Sequence, residues 1–274
     1  MSIKVGLIGQ GIKVSRSPAM HETEAERQGF ELRYDLFDTD HDSRSLAELL
    51  DLAQAAGYSG LNITHPYKQA VVGLLDQLSP TAEQVGAVNT VVFEGETRIG
   101  HNTDCPGFAA GFQEGLPDAS LNTAVVVGAG GAGFAVANAL LDLGVKELLI
   151  CDRAKELAVG LADMLGGPVR VVTDLSELGP VDGFVNATPM GMASHPGSAI
   201  PKQYLTPCHW LVDIVYFPLE TQLLCEAKEV GCQCLSGRGM AVHQAALSFE
   251  LFTNHTADPD QMRETFESFN RQDT

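Results

Sequence analysis

The stretch Thr123-Ala-Val-Val-Val-Gly128-Ala-Gly-Gly-Ala-Gly133-Phe-Ala-Val-Ala-Asn-Ala-Leu-Leu-Asp142 decides the fold. An apolar β-branched run meets glycines at 128, 130 and 133 and then passes into an apolar helical pattern. That is G-x-G-x-x-G in a strand-to-helix context, where each glycine has its own physical task. One permits the tight turn, one lets backbone approach a pyrophosphate, and one lets the helix pack on the strand. The helix N-terminus then offers its N–H groups to phosphate oxygens. Asp152 closes the next predicted strand, nineteen residues beyond Gly133, where a carboxylate can accept from a ribose 2′-hydroxyl. The spacing therefore predicts a dinucleotide site on Gly128, Ala129, Gly130, Gly131, Ala132 and Gly133, with Asp152 and Arg153 beyond it. A methyltransferase-type adenosyl site, or a purely structural turn, is the competing reading.

Outward from this turn the chain alternates strand and helix. Downstream, strands are predicted at 123–127, 147–152, 169–172, 183–186 and 211–213, and helices at 132–143, 154–165 and 219–230. Upstream, strands at 3–8, 32–37 and 60–63 alternate with helices at 18–28 and 45–56. Helical pattern resumes at 67–77 and 80–85, followed by strands at 87–93 and 97–101 and, at the far end, helices at 242–254 and 259–270. Such alternation predicts an α/β protein built on mostly parallel sheets with helices on their faces. No internal repeat or low-complexity tract interrupts it.

Composition narrows the functional classes. The 274 residues are 45% hydrophobic and 19% charged, and 17 basic against 35 acidic side chains leave a net charge of −18. With a sequence pI near 4.7, the chain lacks the Lys and Arg excess that nucleic acid or an anionic membrane surface requires. Its opening residues, Met1-Ser-Ile-Lys-Val-Gly6, do not form a signal peptide, so a cytoplasmic location is expected. Residues 124–145 have the length of a membrane span but carry five glycines and Asp142, which reads as strand, turn and buried helix. The six cysteines (105, 151, 208, 225, 232 and 234) show no C-x-x-C pair and read as reduced core thiols. The histidines have no metal-ligand spacing, and no metal is expected. A monomer or a homodimer is expected.

Polar residues cluster just past strands or in turns, where open α/β sheets place ligand-binding groups. They are Ser15-Arg-Ser-Pro18, Asn62-Ile-Thr-His-Pro-Tyr-Lys68, Gly86-Ala-Val-Asn-Thr90, Gly100-His-Asn-Thr-Asp104, Asn186-Ala-Thr-Pro-Met-Gly191 and Gly237-Arg-Gly-Met-Ala-Val-His-Gln244. Taken singly, each has a plainer reading: Lys68 as a solvated loop lysine, Asp104 as an Asx-turn residue, Ser17 as an N-cap with Pro18 at N1. Six motifs in this order closely resemble the shikimate dehydrogenase family, including its quinate/shikimate branch, from about Gly6 to Phe249.

The resemblance implies an N-terminal open α/β substrate domain over 1–105, completed by 243–274, and a Rossmann NAD(P)-binding domain over 106–242, with the active site in the cleft between them. It implies reversible hydride transfer between shikimate and 3-dehydroshikimate, with quinate as a further substrate. Ser15 and Ser17 would bind the substrate carboxylate. Asn62, Thr64, Asn89 and Gln244 would hold ring hydroxyls, and Tyr216 would be another substrate contact. Lys68 and Asp104 would form the catalytic pair: oxidation of a secondary alcohol needs a group to take the hydroxyl proton as hydride leaves, and the reverse reaction needs the same group as an acid. Thr188, Ile214 and Gly237 would adjoin the cofactor.

Two departures bear on specificity. Common NADP-using members carry an Asn-Arg-Thr clasp and a further arginine for the 2′-phosphate. Here Asp152-Arg-Ala154 and Leu157 stand instead, which favours NAD, with NADP the alternative. Quinate users often have threonine where this chain has Ser17, which favours shikimate as the better substrate. Differences at His65, Tyr67 and Cys105 leave room for a related cyclohexane acid such as aminoshikimate or aminoquinate. A regulator that kept this fold but lost turnover is a competing function, against which Lys68 and Asp104 argue.

The charge of −18 opposes capture of an anionic substrate, because the mean field of the protein repels it until salt screens the repulsion. The KM for a carboxylate substrate is therefore expected to fall as salt is added at low ionic strength. A KM that rises with salt contradicts this.

Overall fold

A computed structural model describes residues 2–207 and 209–269; Cys208 and the expected helix end at 270 lie outside the described residues. The chain divides into two compact units, Met1–Thr103 with Val242–Thr274, and Asp104–Ala241.

The first unit opens with β1 (Ile3–Gly9), α1 (Ser17–Arg27), β2 (Leu32–Asp38), α2 (Leu46–Ala55) and β3 (Gly60–Ile63). It continues with β4 (Gln77–Leu78), α3 (Pro80–Val85), β5 (Thr90–Glu94) and β6 (Thr97–His101). Its six-stranded sheet runs β2-β1-β3-β5-β6-β4. β1 pairs in parallel with β2 and β3, whereas β5 is antiparallel to both β3 and β6. Ser45 starts α2 with a reciprocal capping box, its side chain accepting from the Glu48 N–H while Glu48 accepts from the Ser45 N–H. Leu49, Leu50 and Ala53 of that helix pack on Ile8, Leu61, Ile63 and Val91 of the sheet.

The second unit holds α4 (Asp104–Gly115), β7 (Thr123–Val127), α5 (Gly131–Asp142), β8 (Glu147–Cys151), α6 (Lys155–Leu165) and β9 (Val169–Val171). Beyond these lie β10 (Gly183–Asn186), β11 (Trp210–Asp213), α7 (Gln222–Val230) and β12 (Gln233–Ser236). The order β12-β11-β10-β7-β8-β9 is parallel throughout. Renumbered along the chain it is the doubly wound 3-2-1-4-5-6 arrangement, whose direction reverses between β7 and β10. The carboxyl ends of those two strands thus flank the crevice where such sheets bind ligands. α8 (Arg238–Thr253) begins in this unit and returns the chain to the first one, which α9 (Pro259–Ser268) completes.

The structure departs from the expected elements at three places. The helix expected over 67–77 shrinks to one 3₁₀ turn, Ala70–Leu74. Its flanking backbone groups are bonded elsewhere: the Lys68 carbonyl accepts from Val88 N–H, in the turn before β5, at 2.8 Å, and Asp76 N–H donates to the Arg98 carbonyl of β6 at 3.0 Å. The helix α4 stands where Asp-Cys-Pro-Gly read as a turn; Pro106 is its third residue, where a missing N–H costs no intrahelical bond. β12 was not expected either, since Gln233 and Cys234 break the apolar run. Among the described residues no helix is long and apolar enough to cross a membrane, and residues 124–145 form β7, the glycine turn and α5. The five described cysteines are free thiols, but Cys225 is exposed rather than in the core. Burial pushes Cys105 up to about 12 and Cys234 up to about 11.

One core side chain makes the first unit sensitive to acid. His21 of α1 is fully buried, 5.0 Å from the Tyr34 ring and 5.8 Å from Phe249. Its Nδ1 has no hydrogen-bond partner among the described residues. Burial lowers its pKa to about 3. The unfolded chain, with histidine near the usual 6.5, then binds the proton first, so this contribution to stability is complete above pH 6.5 and declines as pH falls toward 3. Between pH 7 and 4.5 His21→Phe is expected to lose about 2 kcal/mol less stability than the parent in urea unfolding. Equal losses in the two proteins contradict the assignment.

Candidate active site

The three glycines of the turn after β7 do different work. Gly128 has φ +107°, a conformation other residues avoid, and a Cβ there would lie 2.8 Å from the Ala187 carbonyl carbon and from Thr188 Cγ2. A Cβ on Gly133 would collide with the Gly128 carbonyl oxygen, so α5 presses directly on the turn. Gly130 caps α5 in ordinary extended backbone, φ −82° and ψ −172°, and a Cβ there would meet nothing within 4 Å. The open space in front of Gly130 is where a ligand can approach backbone N–H groups, and α5 has no acidic residue in its first turn to oppose an anion.

Asp152 follows β8, the strand beside β7. Its Oδ2 accepts from Ala129 N–H at 2.7 Å and its Oδ1 from Ala154 N–H at 2.8 Å. The carboxylate is thereby fixed at the lip of the glycine turn with lone pairs to spare for a hydroxyl donor. Arg153 is exposed and bonds no other described residue.

On the other side of the crevice a buried polar network organises the loops after β10 and β11. Asn186 Oδ1 accepts from the Thr188 N–H at 3.0 Å and hydroxyl at 2.7 Å, and its Nδ2 donates to Asp213 Oδ1 at 2.9 Å. Asp213 also accepts from the Thr221 hydroxyl at 2.6 Å and from Val215 N–H at 3.1 Å. Thr221 in turn caps α7. Asp213 is fully buried; burial pushes its carboxyl up, against the opposing pull of these three donors. Beside the network, a Cβ on Gly237 would run into the Ile214 carbonyl, which brings these two residues into backbone contact. Tyr216 is 41% exposed in the loop after β11.

In the first unit, Asn62 and Asn89 join one hydrogen-bond chain. Tyr34 donates to Asn62 Oδ1 at 2.8 Å, Asn62 Nδ2 donates to Thr90 Oγ1 at 3.0 Å, and Thr90 donates to Asn89 Oδ1 at 3.1 Å. Asn89 accepts from Thr103 N–H at 2.8 Å and donates to its Oγ1 at 2.9 Å. Both amides are buried, and the network fixes the residue immediately before Asp104. Thr64 stands at the end of β3, where a Cβ on Gly9 would strike its methyl. Lys68 and Gln244 are half-buried, and Asp104 is buried at the start of α4.

Ser17 is the first residue of α1, not its cap. Arg16 occupies the cap position without a side-chain capping bond, and Pro18 is second. The Ser17 hydroxyl is therefore not used to cap the helix, while Ser15 Oγ accepts from Ser17 N–H at 3.3 Å.

The shikimate dehydrogenase substrate-binding domain matches residues 7–91, and the shikimate 5′-dehydrogenase C-terminal domain matches residues 237–265. The chain is 50% identical to the NAD(+) quinate/shikimate dehydrogenase of Corynebacterium efficiens, over 97% of this chain and 98% of that one. This chain belongs to the shikimate dehydrogenase family. An NADP(+) shikimate dehydrogenase of the family, from Streptomyces avermitilis, is 49% identical over 96% of this chain and 93% of its own length. Among solved structures, the quinate dehydrogenase of Corynebacterium glutamicum in complex with NAD superposes with a TM-score of 0.92 at 48% identity, covering 97% of this chain and 99% of that one.

Within this family member, the residue that motif reading passed over is Asp213. It ends a strand in Asp213-Ile-Val-Tyr216 and showed no sequence signal beyond that, because its importance comes from donors on two other segments. Removing it leaves Asn186, Thr221 and Val215 without their shared acceptor. Asp213→Ala is expected to cost about 3 kcal/mol in urea unfolding, and a loss under about 0.5 kcal/mol, as for a surface site, contradicts this account.

Proposed function

We propose that this chain is an NAD-dependent quinate/shikimate dehydrogenase, with the first unit as the substrate-binding domain and the second as the NAD-binding domain. The observation that carries the cofactor choice is the Asp152 carboxylate, clamped by Ala129 and Ala154 N–H at 2.7 and 2.8 Å beside the glycine turn. A fixed carboxylate there favours a free ribose hydroxyl and opposes a 2′-phosphate. Overall identity does not make this choice, since NAD(+)- and NADP(+)-named relatives match at 50% and 49%. The residues fit the cofactor: Gly130 leaves room for the pyrophosphate, α5 presents its first N–H groups there, and Thr188, Ile214 and Gly237 supply the nicotinamide side.

Bound NAD supplies the hydride acceptor. The remaining work belongs to the chain. Ser15 and Ser17, at the positive end of α1, hold the substrate carboxylate against the protein's net negative charge. Asn62 and Asn89 spend most of their bonding capacity on Tyr34, Thr90 and Thr103. They therefore offer a rigid polar floor, with Thr64, Gln244 and Tyr216 as the more adaptable contacts to ring hydroxyls. Lys68 Nζ takes the proton from the reacting hydroxyl, and Asp104 orients that hydroxyl. The free thiols at Cys105, Cys151, Cys225, Cys232 and Cys234 fit a reducing compartment, which supports a cytoplasmic location.

The test is NADH formation with shikimate and, separately, with quinate. Turnover with both is expected, with kcat/KM for NAD exceeding that for NADP by roughly tenfold or more, and Asp152→Ala is expected to narrow the gap. Equal use of the two cofactors by the parent overturns the cofactor assignment. Lys68→Met is expected to bind substrate and lose most turnover; full turnover removes Lys68 from the reaction. Absence of turnover with either substrate favours a binding regulator or a related cyclohexane acid.

A further inference from the structure

Helices α4 and α8 meet at two glycines within the second unit. A Cβ on Gly111 would lie 2.9 Å from the Gly239 carbonyl carbon and 3.0 Å from Met240 N, and a Cβ on Gly239 would lie 3.2 Å from Gly111 Cα. One turn further along α4, a Cβ on Gly115 would lie 2.5 Å from Leu235 Cδ1, at the end of β12. A glycine inside a helix costs about 1 kcal/mol relative to alanine, yet α4 carries Gly107, Gly111 and Gly115 at four-residue spacing. Backbone-to-backbone packing against the first turn of α8 accounts for that cost at Gly111.

The face of α4 that makes this contact is also the face of Asp104. Gly111 is seven residues on, two turns and about 10 Å along the axis, with only about 20° of angular drift. Asp104 is 5% exposed. On the α8 side, Gly239 lies two residues beyond Gly237, which rests on the Ile214 backbone. Asp104, the Gly111–Gly239 contact and the Ile214–Gly237 ledge therefore form one continuous path of stiff elements.

We propose that Gly111 and Gly239 are positioning residues for the reaction: their contact holds Asp104 in register with the Ile214–Gly237 ledge. The inference rests on Asp104 acting on the reacting hydroxyl, as argued above. A side chain at either position must push α4 and α8 apart by a few tenths of an ångström or more. Because about 1 Å of misplacement costs about a hundredfold in rate, the displacement should be read in kcat.

The experiment is a double-mutant cycle on kcat for shikimate oxidation with saturating NAD, using Gly111→Ala, Asp104→Asn and the pair, with urea unfolding to confirm that each variant folds. Asp104→Asn alone is expected to lose most turnover; if it keeps parental kcat, the role of Asp104 fails and the inference with it. Gly111→Ala is expected to lose about tenfold in kcat in the parent and less than about twofold in the Asp104→Asn background. A glycine that serves packing alone would cost the same factor in both backgrounds, and that result overturns the proposal while leaving the role of Asp104 intact. So does a folded Gly111→Ala with parental kcat. Should Gly111→Ala not fold, Gly239→Ala, the milder intrusion, closes the same cycle with the same outcomes.

Discussion

The close approach of α5 to the Gly128 carbonyl is the constraint on which the second unit depends. It leaves no room for a Cβ on Gly133, and Gly128 itself turns with a φ of +107°. With the helix start pinned in this way, Gly130 faces open space and Ala129 N–H points to Asp152. The strand order places this turn where the sheet reverses direction, opposite the loops that Asn186 and Asp213 hold. The open face at Gly130, the placement of the Asp152 carboxylate and the position of the facing loops all follow from this backbone contact and the topology around it.

The first unit solves a related problem with side chains. Polar side chains at the ends of buried central strands must have their amides satisfied, because an unpaired buried amide is costly. Asn62 and Asn89 do so through Tyr34, Thr90 and Thr103, and the same bonds fix the segment leading into Asp104. Their value lies as much in holding the surface still as in direct contact. The second unit uses the same device with Asp213 in place of an amide.

Much of this was legible in the sequence, for identifiable reasons. The β7 turn and its helix declare themselves because each step has a local signature: β-branched strand, spaced glycines, apolar helix. Ser45 with Glu48 announces α2 in the same way. Where tertiary bonds compete with local pattern, the sequence misleads. Residues 67–77 carry a helical pattern, but the Lys68 carbonyl is claimed by Val88, before β5, and the Asp76 N–H by Arg98 of β6. At α4, Asp-Cys-Pro-Gly has the composition of a turn, but Asp104 and Pro106 equally suit the first turn of a helix, and composition does not separate the two. Ser17 looks like a cap but lies one residue inside α1. Asp213 was invisible for the opposite reason: a buried carboxylate is defined by its donors, and those lie at 186, 215 and 221.

The central claim is that the turn divides its labour, with Gly128 and Gly133 required for folding and Gly130 kept bare for a ligand. Calorimetric titration of NAD into Gly130→Ala and Gly133→Ala, alongside their unfolding midpoints, tests it directly. The Gly130 backbone is one that alanine adopts freely, so this variant should unfold at the parental midpoint or slightly above it while binding NAD about tenfold or more weakly, as a methyl displaces the phosphate from the N–H groups. Gly133→Ala should unfold earlier. A Gly130→Ala protein that binds NAD as tightly as the parent would contradict the account.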